Sequence, residues 1–144
     1  MVIHDNVPRR RFLTMAAGAA AVGACSSSSN MTISDVPAFN VSMLPVGSLE
    51  AVGTQPVCIG RDANGVYALS LYCTHMQCNI ATQGTVSPQG IHCGCHGSSF
   101  DANGNVTHGP AAQPLAHFSV TKDASGNLTI HGTQTVSANT RLPV

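Results

Sequence analysis

The stretches "CTHMQC" (Cys73–Cys78) and "CGCHGS" (Cys93–Ser98) each place two cysteines and one histidine within six residues. A packed core has little use for them, because Cys and His offer small apolar volume and the neighbouring glycines offer none. Metal chemistry does have a use. Two thiolates and two imidazoles make a four-ligand site, and the two boxes together hold that set with two cysteines left over. Ligands drawn from two separate segments let the backbone curl around the metal, while a remaining cysteine pair can cross-link in an oxidising compartment.

Outward from the boxes, the chain reads as strands and turns. "DANG" occurs at Asp62–Gly65 and again at Asp101–Gly104, and "ASGN" at Ala124–Asn127, each between short β-rich segments. The runs Val66–Leu71, Ala116–Lys122 and Asn127–Gly132 are expected strands, and no helical periodicity of useful length follows residue 24. Trp is absent and small polar residues abound, which suits an all-β, antiparallel domain with the two boxes as loops at one end. At 144 residues, one domain is expected. Charged residues make up only 8 %, net charge is zero, and no Lys/Arg cluster follows the first dozen residues. That pattern argues against a nucleic-acid partner and against a disordered polyelectrolyte.

Residues 1–24 read as an export signal. "RRRFL" (Arg9–Leu13) precedes an uncharged run to Ala24 that is too short for a bilayer-spanning helix, which needs about 20 apolar residues. The R-R-x-F-L spacing of Arg9, Arg10, Phe12 and Leu13 resembles a twin-arginine signal, whose route carries folded proteins; an ordinary secretory signal is the alternative. The run ends "VGAC" (Val22–Cys25), which resembles a bacterial lipobox with Cys25 as the lipidated residue, and "SSSSN" (Ser26–Asn30) follows as a polar tether. Plain cleavage near Ala24, or an uncleaved anchor, are the alternatives. The expected organisation is thus a signal over 1–24, a flexible tether over 25–45 and a folded domain over 46–144. Without the signal, three basic side chains face five acidic ones, a charge near minus two, so docking is not strongly steered by charge.

The boxes, C-x-H-x-x-C and C-x-C-H-G-S, resemble those of Rieske iron–sulfur proteins of the disulfide-containing type found in quinol-oxidising cytochrome complexes. The resemblance extends from Val52 to about Gly132. It implies an antiparallel sandwich of small stacked sheets with a cluster-binding loop subdomain, and one [2Fe–2S] cluster. Position by position, it implies that Cys73 and Cys93 hold one iron, that His75 and His96 hold the other, and that Cys78 and Cys95 form a disulfide. Gly94 and Gly97 are expected to bring backbone N–H groups near sulfur, with positive φ open to both. Ser98 stands where the family serine bonds a bridging sulfide. Phe100 stands where high-potential members carry a tyrosine, which implies a potential in the upper part of the Rieske range of about −150 to +300 mV but below its ceiling. Gln77 replaces a usual glycine, Gly94 a usual proline and Met76 a shielding leucine. "GPAAQPL" (Gly109–Leu115) resembles the loop that covers the cluster, beginning with Gly109 and Pro110, with Ala112 at a frequent proline position.

Two functions follow from the resemblance. One is an exported, membrane-tethered electron carrier on the periplasmic side of a bacterial membrane, serving a cytochrome or a periplasmic oxidoreductase. The other is the iron–sulfur subunit of a quinol–cytochrome c reductase, with quinol meeting the histidine ligands. A structural zinc site built from the same four ligands is the bland alternative. Outside the boxes, Cys58 is expected to be a buried small hydrophobe on a strand, and His92, His108, His117 and His131 surface or strand-face residues, with His108 near the cluster loop.

Overall fold

The computed structural model describes residues 33–144. Six strands, β1 (Val36–Asn40), β2 (Leu49–Ala51), β3 (Val57–Asp62), β4 (Gly65–Ser70), β9 (His117–Lys122) and β10 (Asn127–Val136), form one antiparallel sheet in the order β1-β10-β9-β4-β3-β2. Four shorter strands, β5 (Gly84–Ser87), β6 (Gly90–Cys93), β7 (Ser99–Phe100) and β8 (Val106–His108), form a second sheet in sequence order, preceded by the single-turn helix α1 (Ile80–Gln83). The all-β expectation holds, and β4, β9 and β10 lie where the β-rich runs placed strands. Among the described residues no helix is long and apolar enough to cross a membrane.

Strand pleat decides how the two sheets share a core. Successive side chains along β3 and β4 point to opposite faces. Val57, Ile59, Val66 and Ala68 enter a cluster with Phe118, Leu128 and Ile130. The alternate residues Cys58, Tyr67 and Leu69 enter another with Ile80, Ile91, Phe100, Leu115 and the box cysteines Cys73 and Cys93. Both faces of the strand pair are therefore dry, which is why β4 is buried at every position. The second cluster joins the base sheet to the subdomain that carries the boxes.

Three of the connections are built on an aspartate whose carboxylate accepts backbone N–H groups ahead of it, as short polar side chains do in turns. Asp62 accepts from Asn64, Asp101 from Asn103 and Asn105, and Asp123 from Ser125 and Asn127.

The folded part starts earlier than the expected boundary at residue 46. Ile33 and Val36 are buried, β1 pairs with β10, and Asn40 caps a short 3₁₀ turn at Val41–Met43. Part of the segment read as tether is thus sheet, because β9 pairs with one edge of β10 and β1 covers the other edge over Asn127–Ile130. The signal, Cys25 and the serine run lie outside the described residues.

Candidate metal centre

Each box follows a strand and leads into the next element of the subdomain. Box one, Cys73–Cys78, links β4 to α1, where Asn79 caps the helix by accepting from the Ala81 N–H. Box two, Cys93–Ser98, links β6 to β7. In box one the Cys73 N–H donates to the Cys78 carbonyl at 2.9 Å and the Gln77 N–H to the Cys73 carbonyl at 2.7 Å. In box two the Cys93 N–H donates to the Ser98 carbonyl at 2.8 Å and the Gly97 N–H to the Cys93 carbonyl at 3.0 Å. Each loop is therefore a single helix-like turn that is not continued.

The two turns are joined by a disulfide between Cys78 and Cys95, with Cα atoms 6.6 Å apart. The implied cross-link is present. Cys73 and Cys93 are free thiols, 2 % and 1 % exposed. Burial, with the adjacent Cys73 thiol adding to it, holds the Cys93 thiol above its ordinary pKa. The sulfurs of Cys78, Cys93 and Cys95 lie within 4.8 Å of one another. Two of these are bonded together, so that corner is a disulfide beside a thiol and not a three-thiolate site.

The imidazoles of His75 and His96 stand edge to face, with ring centroids 4.9 Å apart. Nδ1 of His75 is buried and has no hydrogen-bond partner. A buried polar atom without a partner costs about 1–3 kcal/mol, and metal coordination is the chemistry that satisfies a bare imidazole nitrogen in a loop that also carries a buried free thiol. The donor set fits the implied cluster: two buried thiols, two converging imidazoles, and the remaining box cysteines joined to each other.

Around the boxes, Ser98 is fully buried and its Oγ accepts from the Ala111 N–H at 3.0 Å, while Thr74 donates to the Gln113 carbonyl at 2.6 Å. The Gly109–Leu115 segment is thereby fastened to both boxes. Phe100 is 2 % exposed, in the same cluster as Cys73 and Cys93. Met76 is 67 % exposed.

The glycines divide. Gly97 has φ +84°, as expected, but Gly94 does not have positive φ. Its N–H goes to the Gln83 carbonyl at 2.7 Å, and a Cβ there would sit 2.5 Å from the same oxygen. Gly94 is small to let α1 approach, and its N–H is not free to serve sulfur.

Cys58 is fully buried on β3, with burial pushing its thiol up to about 12, so it is an inert small hydrophobe. His92 and His108 are exposed on the subdomain sheet, His92 bonded to the Ser99 hydroxyl. His131 bonds Asp35. His117 departs from the surface reading: it is 4 % exposed beneath the turn after β7. Sequence reasoning also passed over Arg141, whose partners lie far away along the chain.

Comparison with known proteins agrees with this geometry. Residues 34–119 match the family model described as Rieske [2Fe-2S] domain. The cytochrome b6-f complex iron-sulfur subunit of Synechococcus elongatus is 39 % identical over 80 residues, covering 54 % of this chain and 44 % of the relative. The subunit of the same name from Prochlorococcus marinus is 34 % identical over 93 residues, 63 % of this chain and 50 % of the relative. The chain thus spans about half the length of the curated relatives it matches. Among solved structures, a chain of the complex of reduced oxygenase and oxidized ferredoxin in carbazole 1,9a-dioxygenase superposes with a TM-score of 0.50 at 24 % identity, over 72 % of this chain and 97 % of that one, which supports the fold. With the family match spanning both boxes and the strands that carry them, the chain belongs to the Rieske [2Fe-2S] domain family.

Proposed function

We propose that the chain is a one-electron transfer protein whose [2Fe–2S] cluster is held by Cys73 and Cys93 on one iron and by His75 and His96 on the other. The observation that carries this reading is the buried, unpartnered Nδ1 of His75 beside the His96 ring and two free buried thiols. When bound, such a cluster takes up and releases a single electron.

The chain's own residues supply the setting. Ser98 Oγ accepts from Ala111, which leaves the hydroxyl proton free to be donated toward the cluster. Phe100, Ile91 and Leu115 keep water from the thiol side. Gly109 and Pro110 open the segment that covers the loops. His96 of box two and Met76 of box one are exposed, an imidazole and an apolar side chain on the loops where a redox partner would approach.

The partner in this reading is a cytochrome or a periplasmic oxidoreductase, met on the periplasmic side of a bacterial membrane. Export by the twin-arginine route suits a protein that must fold around its cluster before crossing. Tethering would be by lipid at Cys25 or by a retained N-terminal anchor. A second reading is the quinol-oxidising iron–sulfur subunit of a cytochrome complex; relatives of this chain carry the name cytochrome b6-f complex iron-sulfur subunit.

Electron paramagnetic resonance of the dithionite-reduced protein tests the proposal. A rhombic signal with average g below that of an all-cysteine [2Fe–2S] cluster is the expected result. A silent protein carrying stoichiometric zinc would make the two boxes a structural clamp and end the electron-transfer reading.

A further inference from the structure

The segment after β10 turns back across the base sheet, where Leu142 and Val66 exchange both backbone hydrogen bonds at 2.8 and 2.9 Å. Just before it, the Arg141 guanidinium lies over the Tyr67 ring, 4.2 Å from its centroid, with the side chain only 13 % exposed. Nε donates to Asp62 at 2.6 Å, and Nη1 to the carbonyls of Ala138 and Thr140 at 2.9 Å each. Partial burial pushes the Asp62 carboxyl up, but the bonds from Arg141 and from the Asn64 N–H outweigh it and hold the group below its ordinary pKa. These contacts fix the guanidinium to the base sheet and to its own segment.

The remaining bond leaves the base. Nη2 donates to Oδ1 of Asn103 at 2.7 Å, and Asn103 belongs to the turn between β7 and β8 in the box-carrying subdomain. Two other base residues hold the same turn. Tyr67 donates its hydroxyl to the Ala102 carbonyl at 2.9 Å, and His117 Nε2 meets the Asn103 carbonyl at 3.0 Å. A carbonyl only accepts, so Nε2 carries the proton.

From this turn the connection runs to both boxes. The Gly104 carbonyl accepts from the Leu115 N–H at 2.9 Å. Leu115 ends the covering segment, which meets box two through Ala111 and Ser98, and box one through Gln113 and Thr74. We infer that Arg141 is a positioning residue for the metal-binding loops: anchored on Asp62 and Tyr67, it fixes the Asp101–Asn105 turn through Asn103 and so sets how tightly Gly109–Leu115 closes over the two boxes. Lysine could not replace it, since an ammonium offers a point charge where this site uses a planar fork stacked on an aromatic ring. The role toward a cluster rests on the proposed function; the closure of the loop does not.

The test compares the full chain with Arg141→Met, Arg141→Lys, Asn103→Ala and the Arg141→Met/Asn103→Ala double variant. One readout is amide hydrogen exchange at Ala111 and Leu115 against Leu69 and Ile130 of the base sheet. The other is the rate at which iron-loaded protein loses its visible absorption in excess chelator. Arg141→Met and Asn103→Ala should each speed exchange at Leu115 and the loss of iron about tenfold, equivalent to about 1.4 kcal/mol. The double variant should do no more than either single one, Arg141→Lys should not rescue, and Leu69 and Ile130 should keep their protection. Equal acceleration across the base sheet, multiplied effects in the double variant, or unchanged exchange at Leu115 would each overturn the inference. If no iron cluster can be loaded at all, the proposed function fails, and the exchange measurements still decide the role of Arg141.

Discussion

The two boxes fold the same backbone around different residues. In each, the first cysteine donates its N–H to the carbonyl five residues on and accepts from the N–H four residues on. In each, that fourth residue is left-handed, Gln77 with φ +57° and Gly97 with φ +84°. What differs is where the side chains sit on the turn. Histidine comes two residues after the first cysteine in box one and three after it in box two; the disulfide cysteine comes five residues after in box one and two after in box two. One scaffold used twice thus buries the two leading cysteines side by side and brings the two imidazoles together. The backbone supplies the cup, and the offset of the residues along it decides what the cup holds.

Removing what joins the loops should have the largest effect. The Cys78–Cys95 bond closes a separation of 17 residues, and loop-closure entropy for a loop of that order is worth about 3 kcal/mol. Denaturant unfolding of Cys78→Ser should show a loss of about that size, with iron released faster because box one is no longer held against box two. A loss below about 1 kcal/mol would mean that the shared turn geometry, and not the cross-link, keeps the loops in register.

A smaller effect comes from giving box two the residue of box one. A Cβ at Gly97 would meet nothing within 4 Å, so the main cost of Gly97→Gln is that of holding a side-chain residue in the left-handed region. That costs about 1–2 kcal/mol. Thermal unfolding that showed no loss would imply that box two can relax to negative φ, which box one has not done.

Phe100, which follows box two on β7 and has no counterpart after box one, offers the next contrast. It is buried in the cluster that contains both free thiols, where a phenol could place its O–H toward a cysteine sulfur. One added hydrogen bond of about 1 kcal/mol that favours the reduced state corresponds to about 40 mV for a one-electron couple. Redox titration of Phe100→Tyr should find a rise of that order. An unchanged or lower potential would show that a tyrosine at this position cannot reach the sulfur.

How much of this was legible in the sequence depends on how local the cause is. The boxes were, because ligand type and spacing lie within six residues, and so were β4, β9 and β10, each an apolar or β-branched run beside an aspartate-led turn. The subdomain sheet was not: "GTVS" and "VTH" carry too few apolar side chains to announce β5 and β8, and they are strands because β6 and β7 lie between them. The "VPAFN" of β1 follows a polar stretch and resembles a tether in sequence; it is a strand because it pairs with β10. His117 looked like a strand-face residue because the turn that buries it comes from β7–β8, and Arg141 carried no signal because Asp62 and Asn103 are 79 and 38 residues away. At Gly94 it is the small size and not the φ that matters, and nothing in the sequence places the Gln83 carbonyl against it.

The smallest predicted effect is also the sharpest test of the likeness between the loops. Gln77 is the one non-glycine with positive φ among the described residues, and it occupies the position that Gly97 fills in box two. The strain of a side chain in the left-handed region, about 1–2 kcal/mol, is offset in a glycine variant by the extra freedom glycine gains in the unfolded chain, about 0.5–1 kcal/mol. Gln77→Gly should therefore stabilise the protein by about 0.5 kcal/mol, and it should do so without changing the spectrum of the reduced cluster, because Gln77 is exposed and donates only its backbone N–H to Cys73. Destabilisation would mean that the Gln77 side chain makes a contact worth more than the strain. In that case box one would be a loop adapted around its glutamine, and the shared hydrogen-bond pattern would describe only the backbone.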